Sequence, residues 1–558
     1  MPLPLPGKTA WPPALLDVPH ADMDRWHAWY SGDTDHLAAA YGAAGAMSTN
    51  PTARAFFDRN RPAVRGAEPR MFWGQDPAPG QVAAKLHIPI AADIAELSAN
   101  LLWADVPTIS VDRDSTDRAA KTEAQVKRYL DDRGHATMRE GAEIDSGLGG
   151  VYYRVVWDRE VQERPWSDVL YPDAVVPEWR WRRLVAATVW RELEPLKQGE
   201  VWRLLERHEP GSITYGLYRG DLDTLGERMG LRDHPDSEYL VARTDDEGRQ
   251  DTQVPRLLLS YVPNILPNRV WRGIPGAESL GRSDFAGLEG PMDALDEGWT
   301  SWMRDLRHGK SKLLIPQSWL DTSGPGSGGV LNIDEEVVVK LNTLGGDDDP
   351  LTSVQFKIRV EEHERTCKAL RRQILSSAGY SAQSFGEEGV VAQTATEVAA
   401  RKEESLTTRG LKLLYQRPAL VEHLTTMLMV DFIHCGANMI DPGAELTAVW
   451  PRAVQPDPEA VARSLSLLES AGAISTYMKV KLREPEWDES EVLAEVRRIR
   501  EDQSGGVPAG DPYGTGGGVD DEEPDEAEVE SEGGTEAGAD EGLDDEQRGG
   551  GLPAVVAV

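Results

Sequence analysis

Two cysteines in 558 residues, Cys367 and Cys435, are too few for a disulfide framework. No apolar run approaches the roughly 20 residues that span a bilayer. The opening MPLPLPGKTAWPPALL lacks a basic stretch followed by a long apolar one, so no secretory signal is expected and the chain should be made and stay in the cytoplasm. Basic residues are scarce: 59 Lys and Arg face 94 Asp and Glu, a net charge of −35. That balance argues against a protein that grips nucleic acid by its phosphates, which takes clusters of Lys and Arg. Catalytic signatures are missing too. There is no G-x-S-x-G, H-E-x-x-H or C-x-x-C. Gly7-Lys8-Thr9 ends like a phosphate-binding loop, but Pro2 stands where its first glycine belongs.

What is present fits a multidomain chain, since 558 residues exceed what one core supports. About half of the charge is local. From Glu501 onward eighteen acids meet a single arginine, Arg548, leaving −17 there and −18 on the preceding residues. That Gly- and acid-rich stretch is expected to be disordered. Near the start, Trp26, Trp29 and Tyr30 give a helix an aromatic face for ordinary packing. Helices are predicted over Asp93–Leu102, 115–133 and 137–149, with a strand at Thr108–Val111. Strands follow at 149–158, 167–177 and 185–195, and then in VWRLLERHE, SITYGLYRG, DSEYLVA and PRLLLSYVPN, with turn residues between. The seventeen tryptophans fall mostly on apolar faces, which favours packing over a sugar platform.

The organising stretch runs from Gly281 to Cys435. In SDFAGLEGPMDALDEGWTSWMRDLR, Phe285, Leu288, Met292, Leu295, Trp299, Trp302 and Leu306 recur at helical steps. Ser283 or Asp284 is the expected cap, and Pro291 kinks the helix or delays its start. KLLIPQSWL and VVVKLN read as strands around a hairpin loop, SGPGSGG (323–329), with a second turn at LGGDDDP (344–350). VEEHERTCKALRRQILS then reads as a helix that is polar nearly all round, a form suited to copies of itself or to a wet lumen. After the aperiodic SAGYSAQSFGEEGVVAQ, Thr394 and Glu397 form a capping box. One long helix follows, with apolar positions at Val398, Leu406, Leu411, Leu414, Leu420, Leu424 and Leu428, and Pro418 inside it should kink or break it.

Taken in order, YVPNILPN (261–268), GRSDFAGLEGPMDALDEGWTSWMRDLR (281–307) and SFGEEGVVAQTATEVAARKEESLTTRGLKLLY (384–415) resemble the portal proteins of tailed bacteriophages, of the long-tailed siphophage type. The resemblance implies an α+β portal fold. Its wing would span 1–280, a stem helix 281–311, a small β-containing clip 312–356, and a second stem helix 357–378. A tunnel loop would occupy 379–393, and a long kinked helix with a strand returning to the wing 394–454. A helical crown at 455–500 and an acidic tail at 501–558 would complete it. It implies a ring, usually of twelve copies, at one capsid vertex of the virion, assembled in the host cytoplasm. Terminase packages double-stranded DNA through such a ring, head–tail adaptors attach to it, and capsid and scaffolding proteins surround it. The ring itself has no enzymatic activity and no cofactor.

Two groups of site residues follow. Arg304, Arg307, His308, Lys310 and Lys312 end the first stem helix. They either complement the helix dipole or, as the resemblance suggests, form basic rings at the channel. Tyr380, Gln383, Ser384, Phe385, Glu387 and Glu388 lie on the loop that the resemblance makes a tunnel loop touching DNA. Its acids suit a wall that repels phosphate and lets DNA slide. No metal is expected: helical spacing accounts for His363 with Cys367 and for His434 with Cys435, and Asp347–Asp349 reads as a solvated turn. Two other readings remain, a metal-dependent hydrolase or nuclease with its acids hidden among many, and a different structural protein of the virion head.

Overall fold

The mixed periodicities of the sequence build an α+β fold. It is described by a computed structural model for residues 3–42, 72–75, 85–111, 117–309, 312–316, 338–341, 352–354, 359–386, 403–451, 458–484, 487 and 489–504. Residues Met1–Asp488 form one compact unit and Glu489–Val558 another, in which the described part is the helix Glu489–Ser504.

The core begins with helices α1 (Asp17–Ser31), α2 (Thr34–Gly42), α3 (Ile90–Trp103), α4 (Asp117–Tyr129) and α5 (His135–Leu148). α3 buries Ile90, Ala91, Ile94, Ala95, Ser98, Ala99, Leu102 and Trp103, a stripe at steps of three and four. Each large apolar side chain so buried contributes about 1.5–3 kcal/mol. The aromatic face of α1 packs against partners far along the chain. Trp26 lies 5.4 Å from Trp271 and donates to Glu289, while Trp271 Nε1 donates to the buried Asp22 at 2.8 Å.

The largest sheet is an antiparallel meander of β5 (Val175–Arg180), β6 (Arg183–Leu193), β7 (Val201–Glu209), β8 (Ser212–Gly220) and β9 (Thr224–Met229). β1 (Gly7–Ala10) pairs with β9, and β10 (Arg249–Asp251) with β8. A second sheet sets β3 (Gly150–Val156) between β11 (Leu259–Pro263) and β4 (Trp166–Leu170). β2 (Thr108–Val111) pairs antiparallel with β15 (Leu446–Val449), so the chain after the long helix returns to its amino-terminal part.

Between the helices Glu289–His308 and Val360–Ala378 lies a three-stranded sheet of β12 (Lys312–Pro316), β13 (Val338–Leu341) and β14 (Thr352–Val354). β12 runs parallel to β13, so the two strands do not form the predicted hairpin. β14, absent from the sequence reading, pairs antiparallel with β12. The remaining helices are α6 (Glu289–His308), α7 (Val360–Ala378), α8 (Glu403–Val430), α9 (Pro458–Ser470), α10 (Thr476–Arg483) and α11 (Glu489–Ser504).

Three further expectations are corrected. DSEYLVA is not a strand: Pro235–Glu238 and Tyr239–Ala242 are helical turns, because Pro235 pre-sets the first turn and His234 Nδ1 accepts the Asp236 amide. α6 begins at Glu289, since Ser283 and Asp284 turn inward and do not cap it. Pro291 sits in its first turn, where a missing amide hydrogen costs nothing. Pro418 does not break α8, which continues through it as one helix. The carbonyl that Pro418 leaves unbonded belongs to Leu414, whose residue is 65% exposed.

Candidate functional site

α8 carries an unusual buried stripe. Ser405, Thr408, Lys412, Gln416 and His423 follow one another at steps of three, four and seven, and all are buried. The apolar Leu411 and Leu414, read from the sequence as part of its packing face, point outward instead, 49% and 65% exposed. A polar stripe can be buried only if each member finds a partner, and each does.

At the centre Lys412 Nζ meets Asp284 Oδ2 at 2.6 Å and Ser98 Oγ at 2.6 Å. The same carboxylate accepts from Ser146 Oγ at 2.7 Å, Tyr380 Oη at 2.9 Å and, on its other oxygen, Asn264 Nδ2 at 2.8 Å. Burial alone would push the Lys412 ammonium down; Asp284 and then Tyr380 outweigh it and hold the group above its ordinary value, fully charged. Burial, reinforced by Asp284, raises the Tyr380 phenol, which therefore stays protonated as a donor. Next to them Gln416 Nε2 donates to Asp145 Oδ2 at 3.3 Å, and burial lifts that carboxyl well above the usual range. This hub joins α3, α5, the turn before α6, the end of α7 and α8.

The hub also roots the loop that follows α7. The Gly379 carbonyl accepts from Thr408 Oγ1, the Ser381 amide donates to Ser405 Oγ at 2.9 Å, and Ser384 Oγ pairs with Ser405 Oγ at 2.9 Å. A short 3-10 turn, Ala382–Phe385, is capped by Ser381 and ended by Gly386. Gly379 has φ +85°, and a Cβ there would lie 2.6 Å from Thr408 Oγ1. Gly379→Ala is expected to cost roughly 1–3 kcal/mol, read as a lower urea midpoint. An unchanged midpoint would mean that the α7–α8 junction is not tied as described.

Tyr380 is thus corrected from a loop-wall residue to a core one, 1% exposed. Gln383, Ser384 and Phe385 are partly buried, and Glu387, Glu388 and the Thr394–Glu397 capping box fall outside the described residues. At the far end of α6, Arg304 and Arg307 are exposed, Arg304 reaching Ser301 Oγ at 3.2 Å. Lys310 is outside the described residues, and Lys312 opens β12. Between these groups α6 and α7 pair through Asp305, which takes Arg359 at 3.1 Å and His363 at 2.9 Å, and through stacked Trp299, Trp302 and His363. The predicted site residues therefore lie at two ends of one helical pair. The sequence reading missed the hub that anchors one end. Its only signal was a lysine four residues after Thr408 and four before Gln416.

Further along α8, His423 Nε2 pairs with Ser167 Oγ at 2.7 Å. Burial pushes its imidazole from 6.5 down to about 4. The unfolded chain binds that proton near pH 6.5 and the folded one only near 4. The stabilisation is therefore complete above pH 6.5 and is lost as pH falls toward 4, by about 3 kcal/mol in all. His423→Gln should flatten this acid limb in urea midpoints taken between neutral pH and 4. Parallel limbs for the two proteins would count against it.

Among the described residues no three His, Cys, Asp or Glu side chains gather to hold a metal ion, and no helix is long and apolar enough to cross a membrane. Comparison with protein-family models and with curated proteins gave no match.

Proposed function

We propose that this chain is the portal subunit of a tailed bacteriophage. In this reading it forms a ring-shaped DNA channel at one capsid vertex, through which terminase packages the genome and from which the genome leaves. The supporting observation is the order α6, three-stranded insertion, α7, glycine-bounded loop, α8 and a strand returning to β2. α7 adds to it. Of its 19 residues only Cys367, Ile374, Leu375 and Ala378 are buried, a surface that neighbouring copies and a wet lumen would accommodate. The loop Gly379–Gln393 would face that lumen from its anchored root, through Gln383, Ser384, Phe385, Glu387 and Glu388. Arg304, Arg307, Lys310 and Lys312 would form basic belts near the narrow end. In a ring one side chain becomes a belt of charge, so a sliding duplex meets either a repelling wall or a weak, repeated attraction. Terminase, a head–tail adaptor, and capsid and scaffolding proteins would be its partners, and it would carry out no catalysis.

Negative-stain microscopy with mass photometry tests this, alone and after co-production with capsid and scaffolding proteins. Rings with a central hole and a mass near twelve times 61.4 kDa are expected. A chain that stays monomeric in both preparations, or one that cleaves DNA or esters with added divalent metal, would sink the reading.

A further inference from the structure

The most cationic exposed tip among the described residues belongs to the hairpin β5–β6, in an otherwise acidic chain. Its sequence is Trp179-Arg180-Trp181-Arg182-Arg183. Arg180 pairs with Arg183, so Trp181 and Arg182 form a two-residue turn with φ of 54° and 61°. Both values lie in the left-handed region that such turns normally fill with Asn and Gly. A bulky residue held there carries a steric cost, and here it presents a tryptophan that is 92% exposed. Arg180, Arg182 and Arg183 are exposed, and none of them pairs with a described carboxylate.

Beside the tip lies a cleft of about 360 Å3, lined by Trp179, Leu184, Tyr261 and Pro418, by Arg182 and Arg183, and by Glu278 and Glu422. Arg182 and Arg183 of the tip line the same cleft, so an apolar side chain seated there brings its flanking groups to the arginines.

We propose that the hairpin tip and this cleft form a docking site for an acidic peptide segment that carries one bulky apolar side chain. The side chain fills the cleft beside Trp179 and Leu184. Flanking carboxylates meet Arg180, Arg182 and Arg183. Tryptophan and arginine are the residues that most often dominate binding energy at interfaces. A nucleic acid could use the arginines and stack on Trp181, but it would leave the apolar walls unused, and a net charge of −35 opposes a long polyphosphate. The site is independent of the portal reading and stands or falls without it.

The test is fluorescence anisotropy on the full chain with a short labelled peptide of Asp and Glu around one central tryptophan. The same peptide with alanine at the centre and a single-stranded oligonucleotide of equal charge serve for comparison. The tryptophan peptide is expected to bind more tightly than either. Trp181→Asn should weaken it by about tenfold or more while leaving the unfolding midpoint unchanged or higher, because asparagine accepts the left-handed turn. Arg182→Ala with Arg183→Ala should flatten its salt dependence. The proposal is overturned if the peptide does not bind, if the alanine peptide or the oligonucleotide binds equally well, or if Trp181→Asn binds like the parent.

Discussion

Lys412→Met is expected to lower the unfolding free energy by about 3–5 kcal/mol, the largest loss from any single side chain described here. The reason is what remains. Asp284 would stay in the core with its 2.6 Å ammonium partner gone, still held by Ser146, Tyr380 and Asn264. Those three neutral donors stabilise a carboxylate without cancelling its charge. Ser98 Oγ loses the same partner. Asp284→Leu should be comparably severe, because it strands the Lys412 ammonium with Ser98 and the Tyr380 ring face. The pair substituted together should lose less than the sum, since no charge is then left alone in the core. Equilibrium urea unfolding of the two single variants and the double variant decides it. If Lys412→Met costs less than about 1 kcal/mol, the pair behaves as a solvated surface pair and the hub described here is wrong. Because the hub also fixes Gly379 and Tyr380, limited proteolysis between α7 and α8 should quicken in the same variants.

Asp296→Ala is expected to be nearly as costly. This buried carboxylate on α6 accepts from Trp73 Nε1 at 3.0 Å, His87 Nδ1 at 2.8 Å and the Ile88 amide at 2.9 Å. One turn earlier Asp293 accepts the amides of Phe72 and Trp73 at 2.7 and 3.1 Å. Together they strap two pieces of the amino-terminal chain, 72–75 and 85–88, onto α6, and Lys85 Nζ clasps the Phe72 and Trp73 carbonyls. Removing the Asp296 acceptor strands three donors at about 1–3 kcal/mol each, so a loss of about 3 kcal/mol or more is expected. Asp296→Asn keeps an acceptor oxygen and should recover part of it. A urea midpoint that Asp296→Ala leaves unmoved, with no faster proteolysis around residue 85, would show that the strap contributes little.

Much of the fold was legible in local pattern. The helix expected at Asp93–Leu102 and found at Ile90–Trp103, the strand at Thr108–Val111, the meander from β6 to β8 and the polar α7 all follow from side-chain period and turn residues, which depend on near neighbours alone. The order of helix, β insertion, helix, loop and long helix was readable for the same reason. Local chemistry misled in a few places. DSEYLVA has the composition of a strand, yet Pro235 and the His234 cap close it into a turn. Ser283 and Asp284 have the chemistry of a helix cap, but burial draws them to Ser146 and Lys412.

The candidate site shows the division most clearly. Tyr380 sits in a polar, glycine-containing stretch and reads as a loop residue, while Leu411 and Leu414 read as core. The structure reverses both assignments. Which face of α8 turns inward is set by Asp284, 128 residues earlier, and by Ser98, 314 residues earlier, and no window along the chain contains those partners. The sequence by itself determined where helices and strands form, because period and turn chemistry are local. Only the tertiary structure decided which polar side chains could be buried, because a buried charge is tolerated only where distant segments bring it a partner.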